Sequence, residues 1–173
     1  MKAQYAPGAG AVVTQVLAAL SYAGTLPFVD RKRIILVGNS TAGLAMVAAS
    51  GMQLPEGVIG AVNFVGGAGG GVLGAGKPCN EPEVRRVIAE AGKSAHLPML
   101  WLYARDDEFW GPDLPREWHA DYLKAGGRAT FRQFDHGGHD LVSYPDEWGA
   151  ALDAYLATLP VRGASGGPSE TLK

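Results

Sequence analysis

A strand-to-helix turn around Ser40 constrains this chain more than any other segment. Residues 34–37 form a short apolar run rich in β-branched residues, which predicts a buried strand, and residues 41–49 are small or apolar and predict a helix. A serine on such a turn is typical of a nucleophile elbow, where its oxygen stands beside the free N–H groups of a helix N-terminus. Gly38 and Ala42 supply the small neighbours that the strained turn requires. The alternative is a structural turn in which Ser40 only caps the helix.

Candidate partners for this serine follow two later predicted strands, a continuous apolar run at 98–104 and a β-like run at 129–134. Carboxylates come after the first run and histidines after the second: Asp106, Asp107 and Glu108, then His136 and His139. The carboxyl ends of parallel strands meet at one rim of a sheet, so these groups should converge on Ser40. The chain order serine, acid, histidine is one of the orders known for Ser-His-Asp catalysis.

Four stretches of the chain together resemble the α/β-hydrolase superfamily, and within it dienelactone hydrolase-like proteins: RIILVGNSTAG, AVNFVGGAGGG, LPMLWLYARDDEFWGPD and GGHDLV. The resemblance implies Ser40 as nucleophile, where dienelactone hydrolases proper have cysteine. It favours Asp107 as the acid, with Asp106 as the alternative, because Asp107 stands in a Tyr-x-x-x-Asp setting. It favours His139 as the base, in a Gly-His step, and Thr41 N–H as one oxyanion donor.

Alternating strands and helices predict a parallel α/β sheet within one domain, residues 1–160, followed by a flexible tail at 161–173. The expected strands are 33–38, 58–65, 98–104 and 128–134, and the expected helices are 10–23, 41–51, 81–92, 113–125 and 145–158. In the family about half of the fold precedes the nucleophile strand. The resemblance therefore implies a partial α/β-hydrolase fold of about four parallel strands with flanking helices. The exposed first strand could then pair with a second copy of the chain.

Composition excludes several classes of protein. With 15 Lys and Arg against 17 Asp and Glu the charge is near neutral, so nothing suggests a nucleic-acid partner. No apolar run reaches the length of a membrane span. A single cysteine excludes a disulfide framework and favours the cytoplasm. Residues 11–23 have some character of a secretory signal, but the spacing of their apolar residues favours an amphipathic helix.

Two further segments partly match ligand-binding motifs, but each lacks a feature that the motif requires. Gly71 to Lys77 has the spacing of a phosphate-binding loop, but Pro78 replaces the hydroxyl residue that would hold Mg²⁺. The segment from Asp135 to Asp140 contains two histidines, but it lacks the helical spacing of zinc sites and has no cysteine nearby. We therefore expect neither a metal nor a cofactor.

The predicted function is a serine hydrolase that acts on small carboxylic esters or lactones through an acyl-enzyme. The alternative is a non-catalytic remnant of the fold that lacks a complete oxyanion hole, because the segment that normally supplies the second donor is not in the sequence.

Overall fold

The structure, a computed structural model, describes residues 6–71, 73–74 and 76–160. Each predicted strand and helix is present, with small shifts at the ends. The strands are β1 (Ile34–Asn39), β2 (Val58–Phe64), β3 (Met99–Ala104) and β4 (Ala129–Phe134). The helices are α1 (Ala6–Ala23), α2 (Thr41–Ser50), α3 (Glu81–Lys93), α4 (Leu114–Ala125) and α5 (Pro145–Thr158), with an unpredicted 3₁₀ helix at Gly138–Ser143. The predicted tail at 161–173 lies outside the described residues.

The four strands form one parallel sheet with β1 at an edge, as predicted, and their order is β1-β2-β3-β4. Helices α2, α3 and α4 each connect one strand to the next, so every crossover is a βαβ unit. Two residues of β2 show that α2 and α5 cover opposite faces of the sheet. A β-carbon at Gly60 would meet Tyr155 of α5. Side chains alternate between the two faces of a sheet, so Asn63, three residues further along, points to the other face, where it lies beside Gly43 of α2.

The core lies along β3, whose residues are all buried. Tyr155 of α5 attaches this part of the sheet to its covering helix. Its hydroxyl accepts a hydrogen bond from Ala61 N at 2.9 Å and donates one to Pro98 O at 2.8 Å. Burial raises the pKa of Tyr155 to about 12, so the hydroxyl keeps its proton and both bonds persist across the neutral pH range.

The first helix packs on α2 through one apolar stripe, as the spacing predicts. Val13 and Leu20 are buried, and Val16 and Leu17 pack partly buried beside the core. In the described part of the chain no helix is both long enough and apolar enough to cross a membrane.

His119 of α4 is a structural residue, because its ring packs against Trp101 and Phe131. Its Nε2 lies 3.0 Å from the Ala129 carbonyl oxygen. Burial lowers the pKa of His119, so the ring stays neutral and contributes to the core rather than to the rim that carries the candidate site.

The outer edge of β1 is unpaired within the described residues. Ile34 N and Ser40 N donate toward β2, so the alternation of a parallel ladder turns the backbone groups of Ile35, Val37 and Asn39 outward. The Val37 side chain is 60% exposed beside them. Free backbone groups next to an exposed apolar side chain form a surface on which a further strand can pair.

We predict that the chain self-associates through this edge and that Val37→Lys weakens the association. A lysine leaves the fold intact, because position 37 is exposed, but it puts charge on an edge that a second copy would bury. Sedimentation velocity over a concentration series measures the effect. Leu123→Lys, on the exposed side of α4, is the matched control and should associate like the wild type. A wild-type chain that stays monomeric at all concentrations would contradict the prediction.

Candidate active site

The backbone at Ser40 makes a sharp turn between β1 and α2. Ser40 has φ 56° and ψ −124°, a positive-φ conformation that is rare for a residue with a side chain. Its hydroxyl makes no capping hydrogen bond to α2, which argues against the helix-cap alternative. Its N–H donates to Phe64 O at 2.9 Å, so the turn is tied to the end of β2. The strained turn therefore leaves the Ser40 hydroxyl without a capping hydrogen bond to the backbone of α2.

Gly38 is required by the close approach of the turn to α2. A β-carbon at residue 38 would lie 2.3 Å from the Ala42 carbonyl oxygen, which is far inside van der Waals contact. The sequence expectation that only a small residue fits at this position thus has a direct steric cause.

Ser40, His139 and Asp107 lie in one chain of side-chain contacts. Ser40 Oγ is 2.8 Å from His139 Nε2, and His139 Nδ1 is 3.1 Å from Asp107 Oδ2. Asp107 is 2% exposed, whereas the imidazole ring is partly open to solvent. The structure thus brings together the three residues singled out in the sequence, and it places a buried carboxylate behind a histidine that contacts a hydroxyl.

The Asp107 carboxylate is oriented by its own loop. Its Oδ1 accepts hydrogen bonds from Phe109 N at 2.8 Å and Trp110 N at 3.3 Å, which leaves Oδ2 for the imidazole. The neighbouring Asp106 and Glu108 are exposed and do not contact the ring; they accept hydrogen bonds from backbone N–H groups instead. The geometry therefore favours Asp107 over Asp106 as the partner of the imidazole.

His139 is delivered by a loop that begins with two glycines in left-handed conformations, Gly137 at φ 117° and Gly138 at φ 53°. The 3₁₀ helix that contains Gly138 and His139 is anchored by the buried Leu141, whose carbonyl accepts a bond from Trp148 Nε1 at 3.1 Å. His136, the other candidate base, is 81% exposed at its side chain, and its Nδ1 lies 3.9 Å from Asp106 Oδ2.

Two aromatic side chains pack edge-on against the imidazole. The ring centroid of Phe109 is 4.2 Å from that of His139, and the centroid of Trp110 is 5.5 Å away. Trp110 is buried and its indole N–H donates to Val65 O at 2.7 Å, so it belongs to the core. Phe109 is only partly buried, and it is the aromatic residue at the rim that a substrate could reach.

A polar layer beneath the elbow was not anticipated from the sequence. Asn63 Nδ2 donates to Tyr103 Oη at 3.1 Å, and the Tyr103 hydroxyl donates to Gly66 O at 2.7 Å. Burial raises the pKa of Tyr103 well above its ordinary value, so the hydroxyl remains a neutral donor. The available signal was an asparagine inside an otherwise apolar strand, since a buried polar residue is more informative than an exposed one.

The glycine-rich segment after β2 borders the same site. Gly67 N donates to the Ser40 carbonyl oxygen at 3.3 Å, so this N–H is already occupied.

Thr41 is the first residue of α2, and its N–H has no acceptor within the helix because the first turn lacks preceding carbonyls. Glu81 and Glu83 occupy the first turn of α3, where they pair with Arg85 and Arg86 of the same helix.

Among the residues that the structure describes, no group of three or more His, Cys, Asp or Glu side chains could hold a metal ion. His139 instead lies between Ser40 and Asp107, and the Asp135 carboxylate pairs with Arg105 at 2.9 Å.

No family model matches the sequence, and no curated protein does. Solved structures do match the architecture. Pyrococcus horikoshii acylaminoacyl peptidase aligns at a TM-score of 0.63 and 14% identity, over 90% of this chain and 29% of its own. Pyrococcus furiosus esterase Pf2001 aligns at 0.63 and 12% identity, over 84% and 60%. A Klebsiella pneumoniae protein assigned as a dienelactone hydrolase aligns at 0.63 and 18% identity, over 87% and 62%.

These similarities show that the chain has a partial α/β-hydrolase fold, as the sequence resemblance implied. The chain spans between 29% and 62% of the length of these three structures. At identities below 20% the similarity concerns the fold alone, and the chemistry must be argued from the site.

We predict that Gly38→Ala destabilises the fold, because the added methyl group must displace the Ala42 carbonyl and with it the start of α2. Overpacking of this kind costs about 1–3 kcal/mol of unfolding free energy. Gly149→Ala is the control: it lies inside α5 with open space around its Cα, and alanine there should gain about 0.5–1 kcal/mol. Urea denaturation of both variants measures the difference. Equal stabilities would show that the turn relaxes without cost.

Proposed function

We propose that this chain is a serine hydrolase for small carboxylic esters or lactones, with Ser40 as nucleophile, His139 as general base and acid, and Asp107 as the residue that orients the imidazole. The observation that carries the proposal is the pair of distances on the two ring nitrogens of His139: 2.8 Å to Ser40 Oγ and 3.1 Å to Asp107 Oδ2. A hydroxyl, an imidazole and a buried carboxylate in this order activate a serine at neutral pH.

The reaction starts with the imidazole proton on Nδ1, directed at Asp107, so that Nε2 is free to accept. Ser40 Oγ attacks the carbonyl carbon of the ester while its proton passes to Nε2. When the tetrahedral intermediate collapses, the C–O bond of the leaving group breaks and the alcohol takes that proton. Water then repeats the sequence on the acyl-enzyme, releasing the carboxylic acid and restoring the hydroxyl.

The developing oxyanion needs N–H donors beside Ser40. Thr41 N–H is one, because it lies at the positive end of α2 directly after the nucleophile. Gly67 N–H is engaged by the Ser40 carbonyl and does not supply a second. Loss of one donor costs about 10²–10³ in rate, so we expect turnover of the chain to be detectable only with activated esters such as p-nitrophenyl acetate.

Small esters are the substrates we propose, because the ring of Phe109 already covers one side of the imidazole and glycines 70 and 71 pack closely on Phe109. The solved esterase and peptidase that share this fold have longer chains than this protein. Their substrates therefore do not identify the substrate of this chain.

We predict that a fluorophosphonate probe labels Ser40. The probe reacts with serines whose proton is withdrawn by a neighbouring base, so intact-mass analysis should find one adduct on the wild type and none on Ser40→Ala. Ser143→Ala removes an exposed serine from the 3₁₀ helix that carries His139, and it should label like the wild type. Absence of any adduct would favour the alternative, an α/β-hydrolase fold without activity.

We predict that Asp107→Asn lowers kcat on p-nitrophenyl acetate by on the order of 10⁴-fold, because asparagine favours the wrong imidazole tautomer. Asp106→Asn should lose far less, since it does not contact the ring and its amide oxygen can still accept the hydrogen bond from Gly138 N. Equal losses, or the reverse order, would move the acid to Asp106.

A further inference from the structure

Asp106 and Glu108 flank the buried Asp107, and both reach the loop that carries His139. Asp106 Oδ1 accepts a hydrogen bond from Gly138 N at 2.8 Å. Glu108 Oε2 accepts one from His139 N at 3.3 Å. Three consecutive acidic residues after β3 therefore attach to the same short segment, the outer two through its backbone and the middle one through the imidazole ring.

The backbone of this segment is shaped to receive them. Gly138 is in a left-handed conformation, so the N–H groups of residues 138 and 139 are both turned toward the loop after β3. Successive N–H groups in such a conformation form a concave anion-binding surface. A β-carbon at residue 138 would lie 3.3 Å from Glu108 Oε2, so glycine lets the carboxylate approach closely.

Asp106 and Glu108 act on the loop of His139 through hydrogen bonds and not through long-range charge. Both are exposed, and solvent and salt screen their field. The other titratable and charged groups at this rim are similarly open: His136 Nδ1 is 3.9 Å from Asp106 Oδ2, and Arg105 pairs with Asp135. A hydrogen bond from a backbone N–H to a carboxylate is directional and roughly twice as strong as a neutral one, so it can fix a loop even at a wet rim.

The position of His139 needs such support. Its ring must keep contact with Ser40 on one side and Asp107 on the other, 2.8 and 3.1 Å away, and an error of 1 Å in a reacting group can cost about 10²-fold in rate. Leu141 anchors the far end of the segment in the core, but the residues before it are held at the rim by the two carboxylates.

We propose that Asp106 and Glu108 are positioning residues that hold the backbone of residues 138 and 139, and through it the imidazole, in line with Ser40. This proposal rests on the hydrolase function proposed above. It gives these two exposed carboxylates a role in the reaction although neither touches the substrate.

The experiment compares variants that remove the acceptor with variants that keep it. Asp106→Ala and Glu108→Ala abolish the hydrogen bonds, whereas Asp106→Asn and Glu108→Gln retain an acceptor oxygen. Asp135→Ala removes an exposed carboxylate of the same rim that binds a side chain instead of this backbone, and is the matched control. Two readouts are measured: kcat and KM on p-nitrophenyl acetate, and hydrogen exchange of the amides of residues 138 and 139 by NMR.

We expect each alanine variant to lose about tenfold in kcat with little change in KM, and to speed exchange of the amide that it no longer binds, by a similar factor. The amide variants should regain most of kcat and of the protection, and Asp135→Ala should stay near the wild type in both. The proposal is overturned if the alanine variants keep full kcat, if the conservative variants lose as much as the alanine variants, or if Asp135→Ala matches them.

The two readouts also separate this proposal from the one on which it rests. A wild-type chain without esterase activity refutes the proposed function, and the exchange rates still decide whether the carboxylates hold the loop. Circular dichroism melting checks that each variant is folded. Since Asp106 and Glu108 are exposed, the substitutions should leave the core intact, and the Glu108 pair repeats the test independently of the Asp106 pair.

Discussion

The strained, positive-φ backbone of Ser40 is the constraint on which the rest of the site depends. A residue with a side chain adopts this conformation only where its surroundings enforce it. Here the Ser40 N–H is tied to Phe64 at the end of β2, and Gly38 lets the turn come within contact of α2. Beneath it, Asn63 and Tyr103 fix the backbone of Gly66. The first three strands therefore cooperate to hold one hydroxyl out of the backbone network, at the rim where the later strands end.

The loops after β3 and β4 complete the site from the other side. Asp107 is buried, is oriented by the N–H groups of its own loop, and contacts the imidazole, while its two acidic neighbours bind the backbone that carries His139. Because residues on adjacent parallel strands leave the sheet at the same edge, these loops meet without any long excursion of the chain. The proposed hydrolase thus uses short loops on a rigid sheet to set distances of about 3 Å between groups distant in sequence.

Much of the fold could be predicted because the local signals agree with one another. The β-branched run before Gly38 and the continuous apolar run of β3 predict buried parallel strands, and both are present with small shifts at the ends. The stripe of Val13 and Leu20 predicts the packed face of α1. The 3₁₀ helix at Gly138–Ser143 was not predicted, because it has no apolar periodicity of its own and is held by the burial of Leu141.

The sequence by itself determined the order of the candidate catalytic residues along the chain: serine, then acid, then histidine, each directly after a strand. The strands could be predicted because apolar periodicity and turn residues are local properties of the sequence. It left Asp106, Asp107 and Glu108 equivalent as residues, and only the family resemblance separated them. The tertiary structure decided their different surroundings, with Asp107 buried against the imidazole and its neighbours turned to the backbone of residues 138 and 139. Burial and hydrogen-bond partners depend on contacts across about thirty residues of chain, as they do for Asp107 and His139, and no local pattern encodes them.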